Sequence, residues 1–112
     1  MSLPQLNRAL VLERPERVAD GAGGFALTWQ EVGRLWGEVM PGAGSERTGV
    51  EVSLATVPYR ITVRGAATGS PARPRPDQRL RDGDRIFVIL AVTERDPAGL
   101  YLTCFAREEV PQ

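Results

Sequence analysis

The sequence predicts a mainly β fold, a small domain built of short antiparallel strands. Short runs of residues alternate between apolar and polar at period two, as half-buried strands do. With 12 glycines and 9 prolines, the 112-residue chain is also dense in turn formers. This combination favours short strands over long helices, and the length suits a single domain spanning residues 1–112.

The C-terminal third predicts a three-stranded antiparallel meander. Asp82 and Gly83 separate two extended runs, which is typical of a two-residue type I′ turn with positive φ at both central positions. The run at 86–92 is apolar on both faces and therefore reads as a central strand, and residues 100–106 return beside it. The residues expected in the core are Val11, Trp36, Ile86, Val88, Leu90 and Leu102.

The first strand is predicted at residues 7–14, with Leu10 and Leu12 on one face and Pro15 ending it. The glycine-rich stretch at 20–24 follows. Its spacing matches no phosphate-binding motif and no helix pattern follows it, so a plain hairpin loop is the expectation.

The second strand block runs from residue 25 to Pro41, and Gly33 interrupts it, which indicates a bulge or a bend. A further half-buried strand is predicted at 59–64, with Ile61 and Val63 on its apolar face. Trp29 and Trp36 have two readings: core and barrel-rim residues, or a base-stacking platform. Without an excess of basic residues beside them, the core and rim reading is favoured.

Two segments between the strands have no apolar pattern of their own. Residues 42–56 read as a short marginal helix or a loop, because a capping Ser45 competes with β-branched residues and Gly49. Residues 65–77, rich in proline and arginine, are expected to pack no core and to form either a solvated loop or a contact arm that orders on a partner. The candidate partner-contact residues in these segments are Glu46, Arg47, Glu51, Arg73 and Arg75.

Nothing in the sequence points to catalysis, a cofactor or a resident metal. The chain has no histidine, and its 14 basic residues, all arginine, balance 14 acidic ones. Asp77, Asp82 and Asp84 lack the fixed spacing of a cation site, and the single Cys104 reads as a small buried hydrophobe. No signal peptide or membrane-spanning run is visible, so a soluble protein made inside the cell is expected.

Read from end to end, the chain carries a collinear series of short motifs. They are Leu6-Asn7-Arg8, Asp20 to Gly24 with Thr28-Trp29, Leu35-Trp36-Gly37-Glu38-Val39 with Pro41, Ser45-Glu46, Tyr59-Arg60-Ile61-Thr62-Val63-Arg64, Gln78-Arg79-Leu80, Gly83 to Ile89, and Leu102-Thr103-Cys104. This series resembles the bacteriophage head-tail joining family of head closure or stopper proteins, versions of which gene transfer agents carry.

The resemblance implies a small antiparallel β-barrel or sandwich, with one short helix or long loop inserted after the second strand block. It also implies a virion protein at the particle neck, made in the bacterial cytoplasm. Such a protein would form a ring with other copies of itself between the portal or adaptor ring and a tail terminator or tail protein. DNA would pass through its channel without sequence-specific binding, and no membrane would be involved.

Two rival classes remain at this stage. One is a small β-barrel nucleic-acid-binding module that uses Trp29, Trp36 and the arginines. The other is an enzyme accessory or tail-tube-type protein of similar architecture. We also expect the isolated chain to be monomeric or weakly associating, because no long apolar stripe should remain exposed once the strands pack.

Overall fold

A computed structural model describes residues 3–42 and 56–109. Six strands make up the fold: β1 (Arg8–Ala19), β2 (Phe25–Pro41), β3 (Thr56–Arg64), β4 (Arg79–Asp82), β5 (Arg85–Glu94) and β6 (Tyr101–Glu109). Every pairing is antiparallel, and the order β1-β2-β3-β6-β5-β4 closes into a barrel. The mainly β prediction is therefore confirmed, and the barrel form holds. The predicted helix or loop at 45–54 lies outside the described residues.

The barrel interior is filled by alternate side chains of β1, β3, β4, β5 and β6, while Val32, Leu35 and Val39 of β2 are partly buried against them. Its buried apolar residues are Leu10, Leu12, Ile61, Val63, Leu80, Phe87, Ile89, Leu102, Cys104 and Ala106. The predicted inward face of β3 is thus confirmed, as is the burial of Leu102 and Cys104. On β1 the buried face is that of Leu10 and Leu12, and not that of Val11, which was predicted to be core.

The predicted core face of β5 is wrong. Phe87 and Ile89 point inward, whereas Ile86 and Val88 are only half-buried and Leu90 is 55% exposed. The strand is apolar on both faces, so alternation alone could not choose between them. The choice is made by pairing with β4, where the buried Leu80 lies opposite Phe87.

Two other members of the predicted core also lie elsewhere. Trp36 is 61% exposed, and Val11 is half-buried. Both stand on strands whose opposite parity fills the interior, since Leu10, Leu12 and Gly37 point inward there. Their side chains therefore belong to the outer wall of the barrel.

The C-terminal meander is confirmed, but its first turn differs from the expectation. Asp82 pairs with Arg85, so the two central turn residues are Gly83 and Asp84. Only Gly83 has positive φ, at 63°. Glycine at the first central position with positive φ is the pattern of a type II′ turn, which suits the strand twist as well as type I′ does.

Pro15 does not end β1. The strand continues to Ala19, and Pro15 lies opposite Trp29 of β2. β4 pairs with β1 only at residues 11–13, so in the described part of the chain the second edge of β1 has no strand partner from Arg14 onward. A proline is tolerated on such an edge because no ladder hydrogen bond is required of its nitrogen.

Residues 14–30 consequently form a two-stranded extension of the barrel, which we call the hairpin arm. It begins at a bulge, since Leu12 pairs with Gly33 and Glu13 with Glu31. The bulge predicted near Gly33 is thus confirmed, and a bulge bends its strand and increases the twist. With the arm, the described part of the molecule measures 54 × 36 × 23 Å.

The glycine-rich stretch forms the turn at the tip of the arm, as predicted. Gly21 and Gly23 have φ of 82° and 87°, a region that a side chain would strain. Asp20 Oδ1 accepts hydrogen bonds from the backbone N–H groups of Ala22 (2.8 Å) and Gly24 (3.0 Å). These bonds, the one from Ala22 foremost, lower the pKa of Asp20, so the tip carries a fixed negative charge.

Candidate assembly interface

The barrel has two different ends. The hairpin arm, the 65–78 loop and the β5–β6 turn lie together at one end, which we call the arm end. The opposite end carries the start of β1, the end of β2 and the β4–β5 turn, since antiparallel pairing brings Pro41 beside Tyr59 and Arg85 beside Asp82. A molecule with two unlike ends suits contacts with two different neighbours.

The 65–78 loop packs against the barrel, so the expectation that it contributes no core is wrong. Pro74 and Gln78 are buried. The backbone N–H of Ile89 donates to the carbonyl of Gln78 (2.9 Å), and the N–H of Asp77 donates to the carbonyl of Ile89 (3.1 Å). These bonds extend the β4–β5 ladder into the loop and fix its return. The prolines reduce the entropy that the loop loses on ordering.

The two described partner-contact candidates have different environments. Arg73 is half-buried and its Nη1 donates to the carbonyl of Ala66 (3.0 Å), so part of its bonding capacity holds the loop together. Arg75 is exposed at the arm end. Both line a shallow groove with Gly69, Ser70, Pro71 and Gln78. Glu46, Arg47 and Glu51 lie outside the described residues.

The hairpin arm has one apolar face and one polar face. Residues that pair across an antiparallel ladder share a face. The pairs Pro15–Trp29, Arg17–Leu27 and Ala19–Phe25 therefore make a mainly apolar face, and the pairs Arg14–Gln30, Glu16–Thr28 and Val18–Ala26 make a mainly polar one. On the apolar face Phe25 is 61% exposed and Leu27 is 57% exposed.

This apolar face continues the outer wall of the barrel. The extra residue at the bulge is in β2, so side chains along β1 alternate without interruption. Glu13 points outward, and Pro15, Arg17 and Ala19 therefore point outward as well. An exposed apolar strip is unfavourable in water, and monomeric soluble proteins keep such patches small. A two-stranded hairpin by itself also has only marginal stability. The expectation that no apolar stripe stays exposed is therefore wrong.

The root of the arm is fixed to the barrel by a charge cluster. Arg79 Nε donates to Glu13 Oε1 at 2.6 Å, and Arg81 Nε donates to Glu13 Oε2 at 3.1 Å. Burial by itself would raise the pKa of Glu13, but the hydrogen bonds and positive charges of the two arginines outweigh it, so the pKa is lowered. The guanidinium of Arg79 also stacks on the Trp29 ring, 4.1 Å from its centroid.

The stacking of Arg79 on Trp29 bears on the nucleic-acid alternative. A base-stacking platform needs open ring faces. One face of Trp29 is covered by Arg79, and the guanidinium of Arg17 similarly lies 4.5 Å from the centroid of the Phe25 ring. Trp36 is exposed, but it lies on the barrel wall opposite Ala9, seven residues along β2 from Trp29.

A second apolar surface crosses the barrel wall formed by β2, β3, β6 and β5. Met40 pairs with Arg60, and Arg60 pairs with Phe105, so the three side chains stand in one row. Leu90 extends this outer row on β5, at the register shift between Ile89 and Ala91. Met40 and Leu90 are more than half exposed, and two shallow grooves run beside the row.

The opposite end of the barrel is closed by a second charge cluster. Arg85 Nε and Nη2 donate to the two oxygens of Glu108, at 2.8 and 3.1 Å. Arg85 Nη2 also donates to the Tyr59 hydroxyl, at 3.1 Å. The hydrogen bond from Arg85 lowers the pKa of Glu108, and the same bond raises the pKa of Arg85. This bidentate pair lies over Phe87 and holds the interior shut.

The described residues contain no cluster built for catalysis by a metal or a thiol. Among them, no three His, Cys, Asp or Glu side chains are placed to hold a metal ion. Burial raises the pKa of the Cys104 thiol to about 12, so the thiol stays protonated at neutral pH. Over residues 3–42 and 56–109 there is no helix long and apolar enough to cross a membrane.

Sequence reasoning missed both apolar surfaces. The signal for the arm was present, since Phe25, Leu27 and Trp29 alternate with polar residues like any half-buried strand. What the pattern could not show is that no second layer covers them. The signal for the outer row was weaker, because Leu90 lies in a strand that is apolar at both parities.

The fold defines a small closed β-barrel whose outer side carries two exposed apolar surfaces. The phage head completion protein family matches the chain over residues 1–109, and the chain belongs to this family. None of the curated proteins matches it.

Two solved structures have the same fold. One comes from the virion of a native gene transfer agent particle; it is 62% identical, the match covers 96% of this chain and 98% of the other, and the TM-score is 0.78. The other is the solution structure of a Shigella flexneri 2a protein, 21% identical over the whole of both chains with a TM-score of 0.70. The second likeness shows the fold alone.

Proposed function

We propose that this chain is a structural head-tail connector of a tailed phage, a prophage or a gene transfer agent. It forms a ring between the portal or adaptor ring and the tail, with a tail terminator or tail protein on its other side. The observation that carries the proposal is the 62% identity, over almost the whole chain, to a protein from a gene transfer agent virion. Membership of the phage head completion protein family also supports a structural role in the particle.

The physical features of the chain support a role in assembly rather than in chemistry. The two ends of the barrel differ, so a copy can contact a different neighbour on each side. The most exposed apolar side chains lie on the arm and the outer row, where another chain can cover them. The chain acts as a virion component and not as an enzyme.

The charge of the chain suits a channel through which DNA passes. Its 14 arginines are balanced by 14 acidic residues. Within residues 3–42 and 56–109, six of the arginines are held in ion pairs with carboxylates: Arg8, Arg34, Arg79, Arg81, Arg85 and Arg107. A strongly basic lumen would bind the phosphate backbone through counterion release and slow transit, and a balanced surface avoids this.

The test is removal of the chain from particle production. We expect a deletion strain to accumulate filled or leaking heads and separate tails, with joining restored by the wild-type chain supplied from a plasmid. Electron microscopy of joined particles carrying a tagged copy should place the tag at the neck. Joined particles at the wild-type level without the chain would refute the connector function.

A further inference from the structure

We infer that the apolar face of the hairpin arm docks on the outer row of the next copy of this chain, so that the ring is closed by repeated arm-to-wall contacts. This inference rests on the proposed function and names the surfaces that form the ring contact. The occupant of the arm is a second copy, because a single molecule carries both halves of the contact.

The positions of the two surfaces determine the kind of contact. In the barrel order β1-β2-β3-β6-β5-β4, β6 lies opposite β1. The apolar face of the arm continues the outer side of β1, and the outer row has Phe105 of β6 near its centre. The surfaces therefore point away from each other and cannot meet within one copy. Contact between unlike surfaces is heterologous, and it closes into a ring when the rotation allows.

The chemistry of the two surfaces is complementary. The arm contributes Phe25 and Leu27, and the outer row contributes Met40, Leu90 and Phe105, which are partly or largely exposed in the single copy. The outer row also contains the exposed Arg60 and the tip of the arm holds the ionised Asp20, whereas Arg17 on the arm face lies over the Phe25 ring of its own copy. Charges of opposite sign at the margin of an apolar contact fix its register.

Edge-to-edge pairing of arms through β1 is the less favoured geometry. Of the two free edges of the arm, that of β1 contains Pro15, which cannot donate to a new ladder and so blunts this edge. Docking through the face needs no backbone bonds. The face contains three large side chains and is therefore on the order of a few hundred Å², below the ~800 Å² per partner of a stable interface. Free copies should therefore remain monomeric and close into a ring only on a preformed neighbour.

The first experiment is site-specific photo-cross-linking in assembled particles, with Leu27→p-benzoylphenylalanine as the probe and Thr28→p-benzoylphenylalanine as the matched control. Leu27 is on the apolar face and Thr28 on the polar face of the same strand, and both are exposed. We expect a band of twice the chain mass from the Leu27 probe, with the cross-link mapped to a peptide containing Met40 or Phe105. The Thr28 probe should give at least fivefold less of this product.

Other products decide against the inference in distinguishable ways. Cross-linking of the Leu27 probe to a different virion protein would overturn the arm-to-wall contact while leaving the connector function in place. Cross-linking between two Leu27 positions would show an arm-to-arm contact and also overturn it. If joined particles contain no copy of the chain, the connector function itself fails.

A cysteine pair gives an independent measurement. The variant Leu27→Cys combined with Met40→Cys should form a ladder of disulfide-linked multimers when particles are oxidised, because each copy then offers both halves of a head-to-tail contact. Each single variant alone should stay monomeric on a non-reducing gel, and the native Cys104 is buried and unreactive. Dimers from Leu27→Cys alone, or no ladder from the double variant, would contradict the inference.

Discussion

Truncation of the two apolar faces of β5 should have very different effects on stability. Phe87 is fully buried, and its ring meets the Tyr59 ring edge-on with centroids 5.2 Å apart. Leu90 is 55% exposed on the outer wall. Both residues have large apolar side chains and lie in the same strand, so the comparison tests chiefly which way each side chain points.

The expected magnitudes follow from burial. Phe87→Ala removes a ring from a closed interior and should cost about 3 to 5 kcal/mol in transfer and cavity energy. A fully buried leucine is worth ~1.5 to 3 kcal/mol, so Leu90→Ala, which loses less than half of that burial, should cost about 1 kcal/mol or less. At roughly 4 °C per kcal/mol for a chain of this length, the two melting temperatures should differ by about 8 °C or more.

Urea unfolding of the purified chain, followed by tryptophan fluorescence and circular dichroism, measures both costs. Because Phe87→Ala can use up much of the stability of a small domain, Phe87→Leu is included and should fall between the wild type and Phe87→Ala. Equal destabilisation by Leu90→Ala and Phe87→Ala would refute the inward assignment. A Leu90→Ala variant that is destabilised more than Phe87→Ala would restore the opposite face as the core.

Three further predictions concern single groups. The wild type should be more stable than Glu13→Gln at pH 7, and this difference in stability should close as the pH falls below about 4.5. The reason is that the pKa of Glu13 is lowered in the folded chain, so the stabilisation by its ion pairs is lost as the carboxylate protonates. Thermal melts at pH 7 and pH 3 check this, and a difference that stays constant would contradict it. Cys104, with its pKa raised to about 12, should react with a thiol reagent at pH 8 far more slowly in the folded chain than in urea, and equal rates would contradict its burial. In the 65–78 loop, Arg75→Glu should leave the melting temperature unchanged but reduce particle joining, because Arg75 is exposed. Pro74→Gly should lower the melting temperature by several degrees, because Pro74 is buried and restricts the unfolded chain. If folded Arg75→Glu joins particles at the wild-type level, Arg75 is not a contact residue.

Much of the barrel could be predicted because local signals and tertiary pairing agree. Alternation put Ile61 of β3 on the face that the barrel buries, and it grouped Leu10 with Leu12 on β1, although Val11 was taken for core there. The turn formers also ended β2, β3 and β4 where the structure ends them. Pro15 is the exception, since its rule holds for a strand paired on both sides, and β1 is paired on one side there.

The candidate contact surfaces were less predictable, because the sequence pointed to charged residues, whereas the structure exposes apolar ones. Arg73 was chosen for its charge, and the structure uses part of it to hold the Ala66 carbonyl. Glu13 was not singled out at all, although it joins the arm to the barrel. Its partners lie 66 and 68 residues away along the chain, and only barrel closure brings them together.

The wrong core face on β5 and the failure to foresee the exposed outer row have the same cause. A strand that is apolar on both faces gives period-two reasoning no means of choosing the inner one, so Leu90 was taken for core. Such a strand is costly for a protein that works alone, because one of its apolar faces stays in water. It is useful to a protein that will be covered by a neighbour. Places where sequence patterns mislead are therefore expected where a fold is committed to assembly, and we propose the outer row as such a place.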